Sequence, residues 1–320
     1  MVSVDQVLKA RERIGQLTRV TPLKHSKSLS EITGGSVFLK LENEQVTGSF
    51  KVRGALNKLM TLTREQIERG VITASTGNHG LGVAFAAGQL GINAQVVFPI
   101  EASPDKYQKM TDAGVEVIQE VDYTEIESHA RELARNKDMI YVSPYNDPEI
   151  IAGAGTVGLE ILEQAGSIDA VIVPIGGGGL ISGIATAIKA KLPETQIIGV
   201  QSEVSPEVYA SWRAGIWVDT PESDSLAQGL MGGVEADSIT LDIIQEFIDG
   251  ILLVHESSIL EAIRLLYEEE SLVIEGAGAA SVAAILEMGK TNSGKNVVAV
   301  ISGGNISEDT VKALIYKETR

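Results

Sequence analysis

The chain is expected to fold as an α/β protein with largely parallel sheets flanked by helices. Three observations predict this. Short β-branched runs alternate with longer helical patterns along the sequence. Several of the runs are apolar at every position, as strands covered on both faces must be. Loops rich in glycine and small hydroxyl residues follow the runs and lead into helices, where such folds place their ligands.

The elements follow in order. The first twenty residues are charged and helix-like, unlike a signal peptide. Strands are expected over Val37–Leu41, Ala94–Pro99, Ala170–Ile175, Ile197–Val200 and Val297–Ile301, several of them apolar on both alternating faces as strands covered on both sides should be. Helices are expected over Phe50–Leu62, His79–Leu90, Glu149–Ala165, Leu180–Lys189, Ser257–Glu269 and Ala277–Glu287, where the apolar spacing is helical or the run is buried throughout. There is no low-complexity linker and no repeat of solenoid length. Two seams stand out, one after the helix ending near Leu62 and one at Ser143–Pro148, where prolines bracket Tyr145, Asn146 and Asp147. Residues 66–148 carry their own βαβα alternation. They are expected to form a smaller lobe inserted into a larger domain made of residues 1–65 and 149–320.

Composition excludes several classes of function. The 320 residues carry a formal net charge of -17 and no basic stripe, which argues against nucleic-acid binding. Cysteine is absent, so no disulfide, thiolate zinc site or thiol nucleophile can form. His25, His79, His129 and His255 are scattered without metal-ligand spacing, and no metal site is expected. No apolar run is long enough to cross a bilayer, so a soluble cytoplasmic protein without membrane partners is expected.

Four segments could carry chemistry. Thr47-Gly48-Ser49-Phe50-Lys51-Val52-Arg53-Gly54-Ala55 puts a lysine in the first turn of a helix after a strand, with Ser49 as the natural N-cap. Taken alone, Lys51 could be a solvated surface lysine and Phe50 a core residue. Ala74-Ser75-Thr76-Gly77-Asn78-His79-Gly80 exposes backbone N–H groups before an apolar helix and suits a carboxylate, though it could be a plain hydroxyl cap. Gly176-Gly177-Gly178-Gly179 follows a strand and opens a helix. Its N–H groups can wrap a phosphate, and it is neither a Walker loop nor a strict dinucleotide fingerprint. Ser302-Gly303-Gly304-Asn305 follows the last strand and could present the Ser302 hydroxyl to a ligand. One amine, one phosphate cradle, one carboxylate nest and one neutral hydroxyl together suit a phosphorylated aldehyde cofactor holding an amino acid.

SFKVRGA, ASTGNHG, GGGGL and SGGN occur in an order and spacing that resemble the fold-type II pyridoxal-phosphate enzymes, whose architecture is that of the tryptophan synthase beta subunit. The similarity is greatest to the threonine/serine dehydratases (ammonia-lyases) and serine racemases, and it extends through AGAGTVGLEIL and SLVIEGAGAAS. It implies pyridoxal 5'-phosphate as cofactor and two domains, each with a largely parallel sheet. Lys51 would hold the cofactor as an imine, with Phe50 near its ring. Asn78 would meet the phenolic oxygen, Gly176 to Gly179 the phosphate and Ser302 the pyridine nitrogen. Ser75, Thr76, Gly77 and His79 would hold the substrate carboxylate. The freed Lys51 amine would take the Cα proton. The implied reaction is loss of the β-hydroxyl from an L-hydroxy-amino acid, giving a 2-oxo acid and ammonia, in a homo-oligomer (dimer or tetramer).

Departures from the family pattern keep other readings open. Thr76 stands where dehydratases commonly have alanine and racemases have a serine that acts as second base. A serine racemase with Lys51 and Thr76 as the catalytic pair, or a 3-hydroxyaspartate dehydratase, therefore remains an alternative. So does a sensor module that binds the cofactor or a nucleotide without turnover. Gln201 stands where metal-binding members carry a carboxylate, with Ser205 and Glu207 at the remaining positions. Ala227-Gln228-Gly229 replaces the common Ala-Asp-Gly and bears on substrate preference. The chain ends at Arg320, so the C-terminal regulatory domain of the biosynthetic enzymes, and its isoleucine feedback, is not expected.

Overall fold

The structure is a computed structural model and describes residues 1–75, 77–100, 104–120 and 126–316. Among the described residues, ten strands form two sheets. In chain order they are β1 (Leu23–Ser26), β2 (Ser36–Leu41), β3 (Val71–Ala74), β4 (Ala94–Pro99), β5 (Glu116–Glu120), β6 (Ile140–Tyr141), β7 (Ala170–Pro174), β8 (Gln196–Ser202), β9 (Gly250–Val254) and β10 (Asn296–Ile301). The larger sheet runs β1-β2-β10-β7-β8-β9 and the smaller runs β5-β4-β3-β6. All pairings are parallel except that of the edge strand β1 with β2. Mostly parallel sheets need helical crossovers, which explains the alternation seen in the sequence.

The doubly apolar strands are covered on both faces. In β10, Val297, Ala299 and Ile301 join one core cluster and Val298 and Val300 join another. In β7, Ala170 and Ile172 face the first cluster, and Val171 and Val173 face the second. The Gly276–Met288 helix supplies Ala279, Ala283 and Ile285 to one side, and the Gly179–Lys189 helix supplies Leu180, Ile181 and Ile184 to the other. Each fully buried Val or Ile of this kind stabilises the fold by roughly 1.5–3 kcal/mol. A third cluster, with Val71, Val96 and Phe98 of the smaller sheet, also takes Val52, Leu56 and Leu59 from the Lys51–Leu59 helix.

The first turn of that helix corrects one expectation. Ser49 does not cap it. Phe50 occupies the cap position, in helical geometry and without a side-chain cap bond. Ser49 instead pairs with Gly303 in an isolated antiparallel bridge, and its buried hydroxyl oxygen meets no partner among the described residues. The bridge holds the Ser49 backbone against the end of β10, so the helix begins later.

The Pro148–Gln164 helix crosses the Lys51–Leu59 helix at near-contact distance. A Cβ on Gly153 would sit 2.5 Å from the Arg53 carbonyl oxygen and 2.7 Å from the Gly54 Cα. Backbone cannot yield there as a flexible side chain can. Gly153→Ala is therefore expected to cost about 1–3 kcal/mol, read as a lower urea midpoint with an unchanged slope. No helix among the described residues is long and apolar enough to cross a membrane.

Candidate active site

Four strand ends supply the site. The Lys51 loop follows β2, Ser75 follows β3, the glycine loop follows β7 and Ser302 follows β10. Register places three of them side by side, since β2 and β7 both pair with β10, with Ile301 opposite Leu41 and Ala299 opposite Ile172. A cavity of about 840 Å³ opens at this edge. Phe50, Lys51, Ser75, Gly77, Asn78 and His79 line it, as do Gly176 to Gly179 and Ser302. Every expected site residue is thus brought to one cavity except Thr76, which lies outside the described residues.

The Lys51 Nζ donates to the Pro144 carbonyl at 2.9 Å and stands 5.3 Å from the centre of the Phe50 ring. Burial lowers its pKa to about 8 against the upward pull of the Glu127 carboxylate. The amine is therefore partly neutral near physiological pH, as a nucleophile or base must be. The Phe50 N–H donates to the Ser302 carbonyl at 3.1 Å and ties the helix start to the end of β10.

The glycine loop is a cradle that side chains would fill. A Cβ on Gly177 would lie 2.2 Å from Cγ of Tyr145. Gly178 has φ 84°, the left-handed region that favours glycine. Thr240 donates its hydroxyl to the Gly177 carbonyl at 2.8 Å and fixes the loop from behind. The N–H groups of Gly176, Gly177 and Gly178 meet no acceptor among the described residues. They also precede a helix, whose N-terminal dipole favours an anion.

Ser75 both caps and shapes the opposite wall. Its Oγ accepts from Gly77 N at 3.0 Å and from Gly80 N at 2.8 Å. Burial and the Lys51 charge lower the His79 pKa to about 3, so its imidazole is neutral. Its Nε2 stands 3.3 Å from the Val142 carbonyl, to which the Nε2–H tautomer donates. The Asn78 amide is oriented on both sides: Nδ2 donates to Glu275 Oε1 at 2.5 Å, and Oδ1 accepts from Asn305 Nδ2 at 2.7 Å. The Ser302 hydroxyl donates to the Ala277 carbonyl at 3.3 Å. Away from this group, Gln201 Oε1 accepts from Tyr209 N at 2.7 Å, at the start of a helix.

Tyr145, Glu275, Asn305 and Glu127 also line the cavity and were not singled out from sequence. Asn305 and Glu275 lie inside quoted segments, and Tyr145 lies in the Ser143–Pro148 seam. What they lacked was a local signal, because each acts on a residue distant in the chain.

The donor set fits pyridoxal phosphate. An amine that can be neutral suits an aldehyde, and a ring of unpaired N–H groups on glycines suits a phosphate. The family model described as "Pyridoxal-phosphate dependent enzyme" matches residues 14–303. An L-threonine ammonia-lyase of Thermotoga maritima is 41% identical over 318 residues, spanning 99% of this chain and 79% of the relative. A catabolic L-threonine dehydratase of Staphylococcus aureus is 43% identical, spanning 98% of this chain and 92% of the relative. The structure of maize serine racemase superposes with a TM-score of 0.92 at 32% identity, covering 99% of this chain and 98% of that one. With a half-buried lysine, a glycine cradle and a family match over nearly all its length, this chain belongs to the pyridoxal-phosphate-dependent enzymes.

Proposed function

We propose that this chain is an L-threonine/L-serine ammonia-lyase, which removes the β-hydroxyl of a hydroxy-amino acid and yields a 2-oxo acid and ammonia. The observation that carries the reading is the Lys51 amine, with its lowered pKa, in the same cavity as the glycine cradle. The similarity to the T. maritima and S. aureus enzymes supports the substrate class. Residues 1–65 and 149–320 are taken as the larger domain and 66–148 as a smaller lobe that closes on the substrate. The assembly is taken as a cytoplasmic homodimer or homotetramer.

Pyridoxal phosphate, when bound, supplies an aldehyde that joins amines and a ring that accepts electrons from Cα. Lys51 would hold that aldehyde, and its amine would take the Cα proton as a general base. The backbone of Gly176 to Gly179 would hold the phosphate. Asn78, fixed by Glu275 and Asn305, would position the phenolic oxygen. Ser302 would meet the pyridine nitrogen with a neutral hydroxyl, which is not an acid–base partner as a carboxylate would be. The substrate carboxylate would be held by Ser75, Thr76, Gly77 and His79, as the resemblance to the family implies. His79 is neutral, so it brings the carboxylate no positive charge, and its one N–H is committed to the Val142 carbonyl.

The test is incubation of the cofactor-loaded protein with L-threonine, L-serine and 3-hydroxyaspartate, with 2-oxo acid and ammonia measured in equal amounts. L-Threonine is expected to give 2-oxobutanoate and L-serine pyruvate. D-serine as the only product from L-serine would instead make the chain a racemase, with Thr76 as its second base.

A pH dependence follows from the amine. Its depressed pKa means that the neutral fraction falls as pH drops below about 8 and saturates above it. Covalent capture of pyridoxal phosphate by the apoprotein should therefore slow about tenfold per pH unit in the acid range and level off above the amine's pKa. A capture rate that kept climbing to pH 10 would show an ordinary exposed lysine at work.

A further inference from the structure

Two residues beyond Lys51, the same helix carries a side chain that the site does not use. Arg53 is 1% exposed, and all five of its N–H donors are engaged. Nε donates to Glu42 Oε2 at 2.7 Å. Nη1 donates to Glu160 Oε1 at 2.6 Å and to Thr156 Oγ1 at 3.1 Å. Nη2 donates to Glu42 Oε1 at 2.8 Å, Glu160 Oε2 at 3.0 Å and the Arg19 carbonyl at 3.1 Å. The buried Lys40 Nζ completes the set, donating to Glu160 Oε2 at 2.6 Å, the Thr21 carbonyl at 2.7 Å and Gln164 Oε1 at 2.9 Å. Arg53 and Lys40 balance Glu42 and Glu160, so the network is neutral in sum.

A closed ionic network of this kind is a poor device for stability alone. Desolvating the charges costs so much that apolar side chains of similar volume often stabilise as well or better. What it does supply is direction. The planar guanidinium fork tolerates little rotation when both carboxylates are held. Those carboxylates sit on separate supports: Glu42 directly after β2, and Glu160 in the Pro148–Gln164 helix. On a helix, side chains two residues apart point to nearly opposite sides. Arg53 therefore grips the side of the first turn turned away from Lys51. No side chain caps this turn. Its backbone is hemmed in closely, since a Cβ on Gly82 would lie 3.1 Å from the Lys51 carbonyl carbon.

We infer that Arg53 is a positioning residue, whose network with Glu42, Glu160 and Lys40 sets the depth and rotation of the first helical turn and thereby the reach of the Lys51 amine into the cavity. The inference rests on Lys51 being the lysine that captures the cofactor.

The test uses the full chain with Arg53→Lys, which keeps the charge but loses the fork, and Thr156→Val, which removes one bond of the network. Two quantities are measured well below the melting transition: the rate of covalent pyridoxal-phosphate capture by apoprotein, and kcat and KM for 2-oxo acid release. A displaced amine should lower both the capture rate and kcat about 10–100-fold in Arg53→Lys, with KM within about threefold. Thr156→Val should shift both in the same direction by less. Wild-type capture and kcat in folded Arg53→Lys would overturn the inference, even if its melting temperature fell. Should Arg53→Lys fail to fold, Thr156→Val and Glu42→Gln decide the matter. Slowed capture in both supports the role, and wild-type capture in both overturns it. Failure of the underlying reading would look different, because wild-type protein would then capture the cofactor at a lysine other than Lys51.

Discussion

Replacing Lys51 with alanine is expected to remove the cofactor's protein-bound absorbance and to lower 2-oxo acid release by about 10⁴-fold or more. Two losses combine here. The amine that holds the cofactor aldehyde is gone, and so is the base beside the substrate Cα. The fold should survive, because the side chain makes one hydrogen bond, to the Pro144 carbonyl, and its helix is held from the other side by Val52, Leu56 and Leu59. Circular dichroism should therefore match the wild type. An added small primary amine should restore part of the turnover, since it replaces the missing base without the tether. Release of keto acid by the alanine variant at the normal rate would end the account of the site.

Gly177→Ala is expected to weaken pyridoxal-phosphate binding by about 100-fold, a cost within the roughly 1–3 kcal/mol of forced overpacking. The new Cβ would overlap the Tyr145 ring, with Cγ at 2.2 Å and Cδ1 at 2.3 Å. The ring has little freedom to retreat. Its hydroxyl accepts from Glu235 N at 3.0 Å, and its Cα lies 3.2 Å from where a Cβ on Gly179 would stand. The glycine loop must shift instead, and its N–H groups leave their aim. Gly166→Ala serves as the control, since nothing lies within 4 Å of a Cβ there. Absorbance titration of the apoproteins separates the two variants, and equal affinities would remove the cradle from its assigned role.

Much of the larger sheet was legible in the sequence, and the reason is burial. β7 and β10 are covered on both sides, so each is an apolar run rich in Val and Ile, and β2 and β8 keep shorter apolar stretches over Val37–Leu39 and Ile197–Val200. Of the unseen strands, β9 does carry an apolar run, Ile-Leu-Leu-Val, and was missed all the same, while the other four lack that signature. β5 reads Glu-Val-Ile-Gln-Glu with no buried residue, β6 is two residues long, and β1 is a short polar edge paired antiparallel. β3 is fully buried but only four residues long, too short for a pattern to separate it from a turn.

The site was legible where each piece is local, a loop between a strand end and a helix start. It was illegible where pieces meet across the fold. Asn305 acts on Asn78 from 227 residues away, and Glu275 from 197. The Arg53 network joins four separate segments, none of which marks it alone. Ser49 misled because a local rule for helix caps lost to a tertiary bridge with Gly303.

Borohydride reduction of the cofactor-loaded protein, followed by digestion and mass spectrometry, reads the decisive bond directly. A pyridoxyl mass on the peptide holding Ser49, Phe50 and Lys51, assigned to Lys51 itself, is the predicted result. The same mass on any other lysine, or on none, would contradict it.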